Sequence, residues 1–258
     1  EAPLKVHHSK DNSMSTTLIV PGLRSSGPTH WQTWLEHRVP GSIRVTQRDW
    51  NDPHLPDWSS RIRREIVQAE GPTFIAAHSF GALAAVQAAS DHSNRISGAL
   101  LVAPADPERF GVAEFLPTNH LGFPVILVAS TNDPWMSLQS AERWARLWGA
   151  DFINLGAAGH VNSEAGFGPW PEALSLLERL HRAAEIRRAA ERLAALSLSQ
   201  TQPVRRHWLA RRRHSLSRAS TIGEGSDLGR AASLLRSAGW VVHAPDSAMA
   251  GGNVATPL

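Results

Sequence analysis

The stretch Thr73-Phe-Ile-Ala-Ala-His-Ser-Phe-Gly81 is an apolar run that ends abruptly in a serine set among small residues. Phe74 to Ala77 predicts a short strand buried on both faces, because the apolar residues run on without polar alternation. Gly81 leads into Ala-Leu-Ala-Ala-Val-Gln-Ala-Ala, built almost wholly of strong helix formers. Ser79 therefore falls on a strand-to-helix hinge. A hinge that sharp requires nearly side-chain-free residues two before and two after the serine. Ala77 and Gly81 stand there, giving A-x-S-x-G, one methyl group away from G-x-S-x-G.

Two further strands break in a related way. Val125-Ile-Leu-Val-Ala129 ends at Ser130-Thr-Asn-Asp133-Pro134, and Phe152-Ile-Asn-Leu155 ends at Gly156-Ala-Ala-Gly-His160. A serine, then an acid after a later strand, then a histidine is the chain order of the α/β-hydrolase triad. Ser79, Asp133 and His160 are accordingly the candidate nucleophile, acid and base. Asp106, in Ala103-Pro-Ala-Asp106-Pro107, follows another strand end and is the rival acid; Asp133 is preferred because the strand ahead of it is clearer. His78 adjoins the serine, but neighbours on a strand point to opposite sides, so a packing and hydrogen-bonding role behind the hinge is expected. His30 is expected to fix the loop after the first strand.

Strand candidates are Leu18 to Val20, Ile43 to Gln47, Phe74 to Ala77, Gly98 to Ala103, Val125 to Ala129 and Phe152 to Leu155. Helical stretches fall near 30–38, 57–69, 82–90 and 138–148, the last capped by Ser137 or Ser140. This alternation predicts an α/β fold, a mostly parallel sheet of about six strands with helices on both faces and no large cap domain. Chemistry in such sheets collects at the carboxyl ends of the strands, where all three candidates lie. The loop Pro21-Gly22-Leu23 follows the first strand and would supply one oxyanion-hole N–H from Leu23, with the second from Phe80.

Composition narrows the function classes. The 258 residues are 42% hydrophobic, enough for one large core, and contain no cysteine, which excludes thiolate chemistry and disulfides. No twenty-residue apolar run occurs, so no membrane association is expected. His54, His92 and His120 have no partner spacing, and neither H-E-x-x-H nor a phosphate-binding glycine loop is present; no metal or cofactor is expected. The net charge of +3 is uneven: residues 181–258 carry twelve Arg against five acids, a net of +7, which leaves −4 for residues 1–180.

Four segments follow. Residues 1–13 are a polar N-terminal extension without an apolar leader core, and Met14 is the expected natural start. Residues 14–180 form the α/β domain, 181–197 a charged, Ala-rich helical extension, and 198–258 a basic tail of low order. Arg205-Arg206 and Arg211-Arg-Arg-His-Ser215 could meet a polyanion, but Trp208 alone stands between them and no nucleic-acid-binding fold is recognised, so no specific nucleic-acid binding is expected.

Tryptophan is abundant, ten residues in all. Core packing accounts for most of them, whereas Trp135, two residues past the candidate acid, is expected to line a substrate pocket together with Trp50.

Val20-Pro-Gly22, Ser26-Gly-Pro-Thr-His-Trp-Gln-Thr-Trp34, Asp49-Trp50, Asp57-Trp58, His78-Ser-Phe-Gly81, Leu101-Val-Ala-Pro104, Ala129-Ser-Thr-Asn-Asp-Pro134, Gly159-His-Val-Asn162 and Gly166-Phe-Gly-Pro-Trp170 together resemble the YdeN-like serine hydrolases. These are relatives of retinoblastoma-binding protein nine, and the resemblance covers about residues 14–180. It implies the same three residues as triad and a serine hydrolase; hydrolysis of small carboxylic esters or short amides through an acyl-serine is expected, as is a cytoplasmic location. The alternative it leaves open is a protein-interaction module that keeps the fold without the chemistry.

Overall fold

The computed structural model describes residues 15–215, with side chains as far as residue 197. Its centre is a six-stranded parallel sheet in the order β2-β1-β3-β4-β5-β6. The strands are β1 (Thr16–Val20), β2 (Ser42–Arg44), β3 (Thr73–Ser79), β4 (Ile96–Pro104), β5 (Val125–Ala129) and β6 (Asp151–Asn154). Helices α1 (Trp31–Glu36), α2 (Leu55–Gln68), α3 (Phe80–Ser90), α4 (Leu138–Trp148) and α5 (Pro171–Ser215) connect or follow them.

The two-residue period of a strand sorts the apolar run into two cores. Leu18, Val20, Ile75, Ala77, Leu101 and Leu127 pack under α2, α3 and α4, joined by Trp58, Leu83 and Trp144. Their neighbours Ile19, Phe74, Ala76, Leu100, Val102 and Ile126 face the other way and pack with Trp31 of α1 and with Ala173, Leu177 and Leu180 of α5. A strand buried on both faces must be apolar at every position, which is why β3 to β5 read as continuous hydrophobic runs.

The expected elements are found with shifted ends. β2 is shorter than the expected 43–47 because it is the sheet edge and pairs only with β1. Val45 still donates its N–H to Ile19 O at 2.9 Å, and Gln47 then turns inward. α2 starts at Leu55, two residues early, because Pro56 sits in its first turn, where a missing N–H leaves no bond unmade. Ser137 is the cap of α4, accepting the Ser140 N–H. Packing reaches Ala184, past the expected close at Leu180.

The last helix, α5, runs from Pro171 through 181–197 and on to Ser215. Arg, Ala and Leu dominate this stretch and carry helix propensity even where apolar periodicity is weak. Residues 1–14 and 216–258, which include the N-terminal extension and the rest of the basic tail, lie outside the described residues. A compact unit ends at Leu193, and the site lies within it. Among the described residues no helix is long and apolar enough to cross a membrane.

Candidate active site

The chain leaves β1 toward the β2 edge, then returns to β3 on the other side of β1. That reversal opens a crevice at the carboxyl ends of β1 and β3, the place where open α/β sheets bind ligands. Gly22 and Ser79 meet there. A Cβ on Gly22 would stand 2.6 Å from Ser79 Cβ, and one on Gly81 would stand 2.2 Å from Pro21 O. The glycine two residues after the serine is thus required by the backbone of β1. Ser79 itself has φ 54° and ψ −130°, a strained conformation costing on the order of 1–3 kcal/mol, which the packed strand and helix on either side impose.

The three residues singled out from the sequence come together. His160 Nε2 lies 2.9 Å from Ser79 Oγ, and His160 Nδ1 lies 3.0 and 2.9 Å from the two carboxylate oxygens of Asp133. The Asp133 side chain is 2% exposed and also accepts the Trp135 N–H at 2.8 Å. Because a carboxylate only accepts, Nδ1 of His160 carries the proton and Nε2 is free to accept from the hydroxyl. Asp106 instead accepts the Glu108 N–H at 3.0 Å within its own loop and makes no bond to His160.

His160 sits on an irregular loop after β6. Asn132 Oδ1 accepts the Gly159 N–H at 2.7 Å, and Ser130 Oγ donates to Gly159 O at 2.5 Å. Both come from the loop that carries Asp133, so acid and base are tied by backbone as well as by side chain. The next residue, Val161, has φ 48°, an outlier for a β-branched residue.

Two more histidines line the crevice, and both are neutral at neutral pH. Burial, helped by the charges of Arg44 and His160, lowers His30 to about 4; its Nδ1 caps α1 by accepting the Gln32 N–H at 3.2 Å. Burial foremost, then the nearby His160 and His30, holds His78 well below the usual histidine range. The expected structural roles of both residues match these contacts.

Residues 17–179 match the family profile described as serine hydrolase. The chain belongs to the serine hydrolase family. Among solved structures, a YdeN-like hydrolase of Pectobacterium atrosepticum is 41% identical, with a TM-score of 0.62 over 68% of this chain and 93% of that one. The ydeN gene product of B. subtilis shares the fold at 19% identity, with a TM-score of 0.55 over 66% of this chain and 100% of that one. Comparison with curated proteins returns no match.

In this serine hydrolase the cleft above Ser79 measures about 280 Å³ and is lined by Leu23, Arg24, Ser25, His30, Phe110, Trp135 and the loop from Asn162 to Glu164, among others. Trp135 lines it, its ring 6.3 Å from that of His160 and faced by the Arg109 guanidinium at 5.3 Å. Trp50 does not. It packs edge-on against Trp58, and its carbonyl accepts the Arg24 N–H at 2.9 Å, so it braces the loop after β1 from behind. That loop turns through Arg24 and Ser25, both at φ 63°. The Arg24 and Ser25 amides are bonded to Trp50 O and Gly22 O, whereas Leu23 N–H has no protein partner among the described residues. Phe80 N–H stands at the first position of α3.

Gln32 is a functional support that sequence reading passed over. Fully buried, its amide donates to Val20 O and Ala76 O at 3.0 Å each, and its Oε1 accepts from Ser26 Oγ at 2.6 Å. It bridges β1 and β3 just below the crevice. Phe110, Ser130 and Asn132 were missed as well. Their one sequence signal is position, since Ser130 and Asn132 fall inside the loop that holds Asp133. Among the described residues no group of three or more His, Asp or Glu is placed to hold a metal ion.

Proposed function

We propose that the protein cleaves small carboxylic esters, or short amides, through an acyl-serine intermediate in which Ser79 is the nucleophile, His160 the general base and acid, and Asp133 the group that orients and stabilises the imidazole. The observation that carries this reading is the unbroken hydrogen-bonded chain from Ser79 Oγ through His160 to the Asp133 carboxylate, each link between 2.9 and 3.0 Å.

Ser79 Oγ attacks the substrate carbonyl carbon while its proton passes to His160 Nε2. The carbonyl oxygen becomes an oxyanion, held by the backbone N–H groups of Leu23 and Phe80, which are oriented before the charge develops. Collapse breaks the bond to the leaving alcohol or amine, and His160 returns the proton to it. Water then repeats the sequence on the acyl-serine and releases the acid and Ser79. Throughout, Asp133 keeps its negative charge beside Nδ1–H and favours the imidazolium. No cofactor enters.

A cleft of about 280 Å³ with Phe110 and Trp135 in its wall suits short or flat apolar acyl groups, being at the small end of ligand cavities. The test is fluorophosphonate labelling together with a p-nitrophenyl ester series from acetate to octanoate. Labelling of the wild type, turnover that falls with acyl length, and loss of both in a folded Ser79→Ala variant are expected. A Ser79→Ala variant that still labels and turns over would remove Ser79 from the mechanism.

A further inference from the structure

Three successive carbonyls of the histidine loop each accept a hydrogen bond from a side chain of a different element. Gly159 O takes Ser130 Oγ at 2.5 Å from the loop after β5, His160 O lies 2.9 Å from His78 Nε2 of β3, and Val161 O takes Trp31 Nε1–H at 3.0 Å from α1. His78 holds the middle carbonyl, that of the base itself, and the mechanism above gives it no part. We propose that His78 is a positioning residue whose Nε2–H, bonded to the His160 carbonyl, sets the imidazole within reach of the Ser79 hydroxyl. The proposal rests on the assignment of Ser79 and His160 as the reacting pair.

The tautomer follows from the partner. A carbonyl oxygen only accepts, so the proton of the neutral His78 ring is on Nε2. The ring has little freedom to move: it is 5% exposed, with the rings of His30, His160 and Trp31 at 4.9, 4.8 and 6.3 Å. The neighbours His78 and Ser79 both meet residue 160, His78 Nε2 at its carbonyl and Ser79 Oγ at its imidazole, each at 2.9 Å. One dipeptide therefore fixes both partners, the nucleophile through the chain and the base through this bond.

The need for such a hold is local. Val161 stands at φ 48°, which a β-branched residue does not adopt unaided. With its flanking carbonyls released, the 160–161 peptide would rotate toward negative φ and carry the imidazole with it. A displacement of about 1 Å at a reacting pair costs on the order of 10²-fold in rate.

The test compares His78→Met, of similar reach but without a donor, with His78→Gln, whose amide nitrogen can reach where Nε2 stood. The Met variant is expected to lose about 10–100-fold in kcat on a p-nitrophenyl ester with KM unchanged, and the Gln variant to recover most of that loss. The downfield proton resonance of His160 Nδ1–H against Asp133 should weaken in the Met variant and persist in the Gln variant. A Met variant with wild-type kcat and resonance overturns the proposal, as do two folded variants equally impaired. If the Met variant does not fold, His78→Asn, too short to reach the carbonyl, takes its place. Should wild-type Ser79 fail to react with fluorophosphonate, the functional reading fails instead, and the resonance alone decides whether His78 holds the loop.

Discussion

The serine and histidine sides of the site are built by opposite means. Ser79 is placed by its immediate chain: an apolar strand before it, an Ala-rich helix after it, and glycines at 22 and 81 that let β1 approach within contact. His160 is placed through bonds that span 27 to 130 positions, from Asp133, Ser130, Asn132, His78 and Trp31, on a loop with no regular structure of its own. The first arrangement is a packing solution and resists change in volume. The second is a hydrogen-bond solution and resists change in donors and acceptors. The two sides should therefore fail differently when altered.

The largest effect is expected on the histidine side. Asp133→Asn keeps the volume but replaces the acceptor with an amide that can favour the wrong tautomer, and kcat should fall by about 10⁴-fold with the fold intact. Steady-state kinetics with circular dichroism checks this; a modest loss would show that the imidazole is held without its carboxylate. On the serine side, Gly81→Ala drives a methyl group into Pro21 O at 2.2 Å, a backbone atom that cannot swing away. Here stability should drop by roughly 3 kcal/mol or more, read from the urea midpoint, with activity lost in consequence.

A smaller effect concerns pH. His30 has a folded-state pKa lowered from 6.5 to about 4, so its contribution to stability is fully present above about 6.5 and is lost as pH falls toward 4. The expected loss is on the order of 2–3 kcal/mol, visible as a declining melting temperature. His30→Asn keeps an acceptor for the α1 cap without the titration, and its melting temperature should decline less steeply. Equal slopes in the two proteins would exclude His30 as the source. The smallest effect is at Asp106, whose carboxylate serves its own loop: Asp106→Asn should leave kcat within about twofold, within the range of substitutions that break no special interaction. A severe loss there would transfer the acid role from Asp133.

Legibility in the sequence follows the same division. β5 occupies Val125–Ala129 as expected, and β3 and α3 meet at Ser79, because residues buried on both faces must be apolar throughout and a tight hinge admits only small neighbours. The loop residues Asp133 and His160 were legible by their order along the chain. Trp50 differs from expectation because an aromatic residue near a site can line it or pack behind it, and only its edge-on packing against Trp58 tells which. The end of the edge strand β2 escaped for a similar reason: partners, or the lack of them, set where a strand stops.

The amino-acid sequence by itself determined the parallel α/β sheet and the hinge at Ser79, and offered a serine, a histidine and two rival acids as candidates, since each follows from local periodicity, side-chain volume or chain order. Tertiary structure alone decided which acid faces His160, which tryptophan lines the cleft, and how the histidine loop is held. Those depend on hydrogen bonds between residues distant in the chain, and a donor and acceptor far apart in sequence leave no local pattern of their pairing.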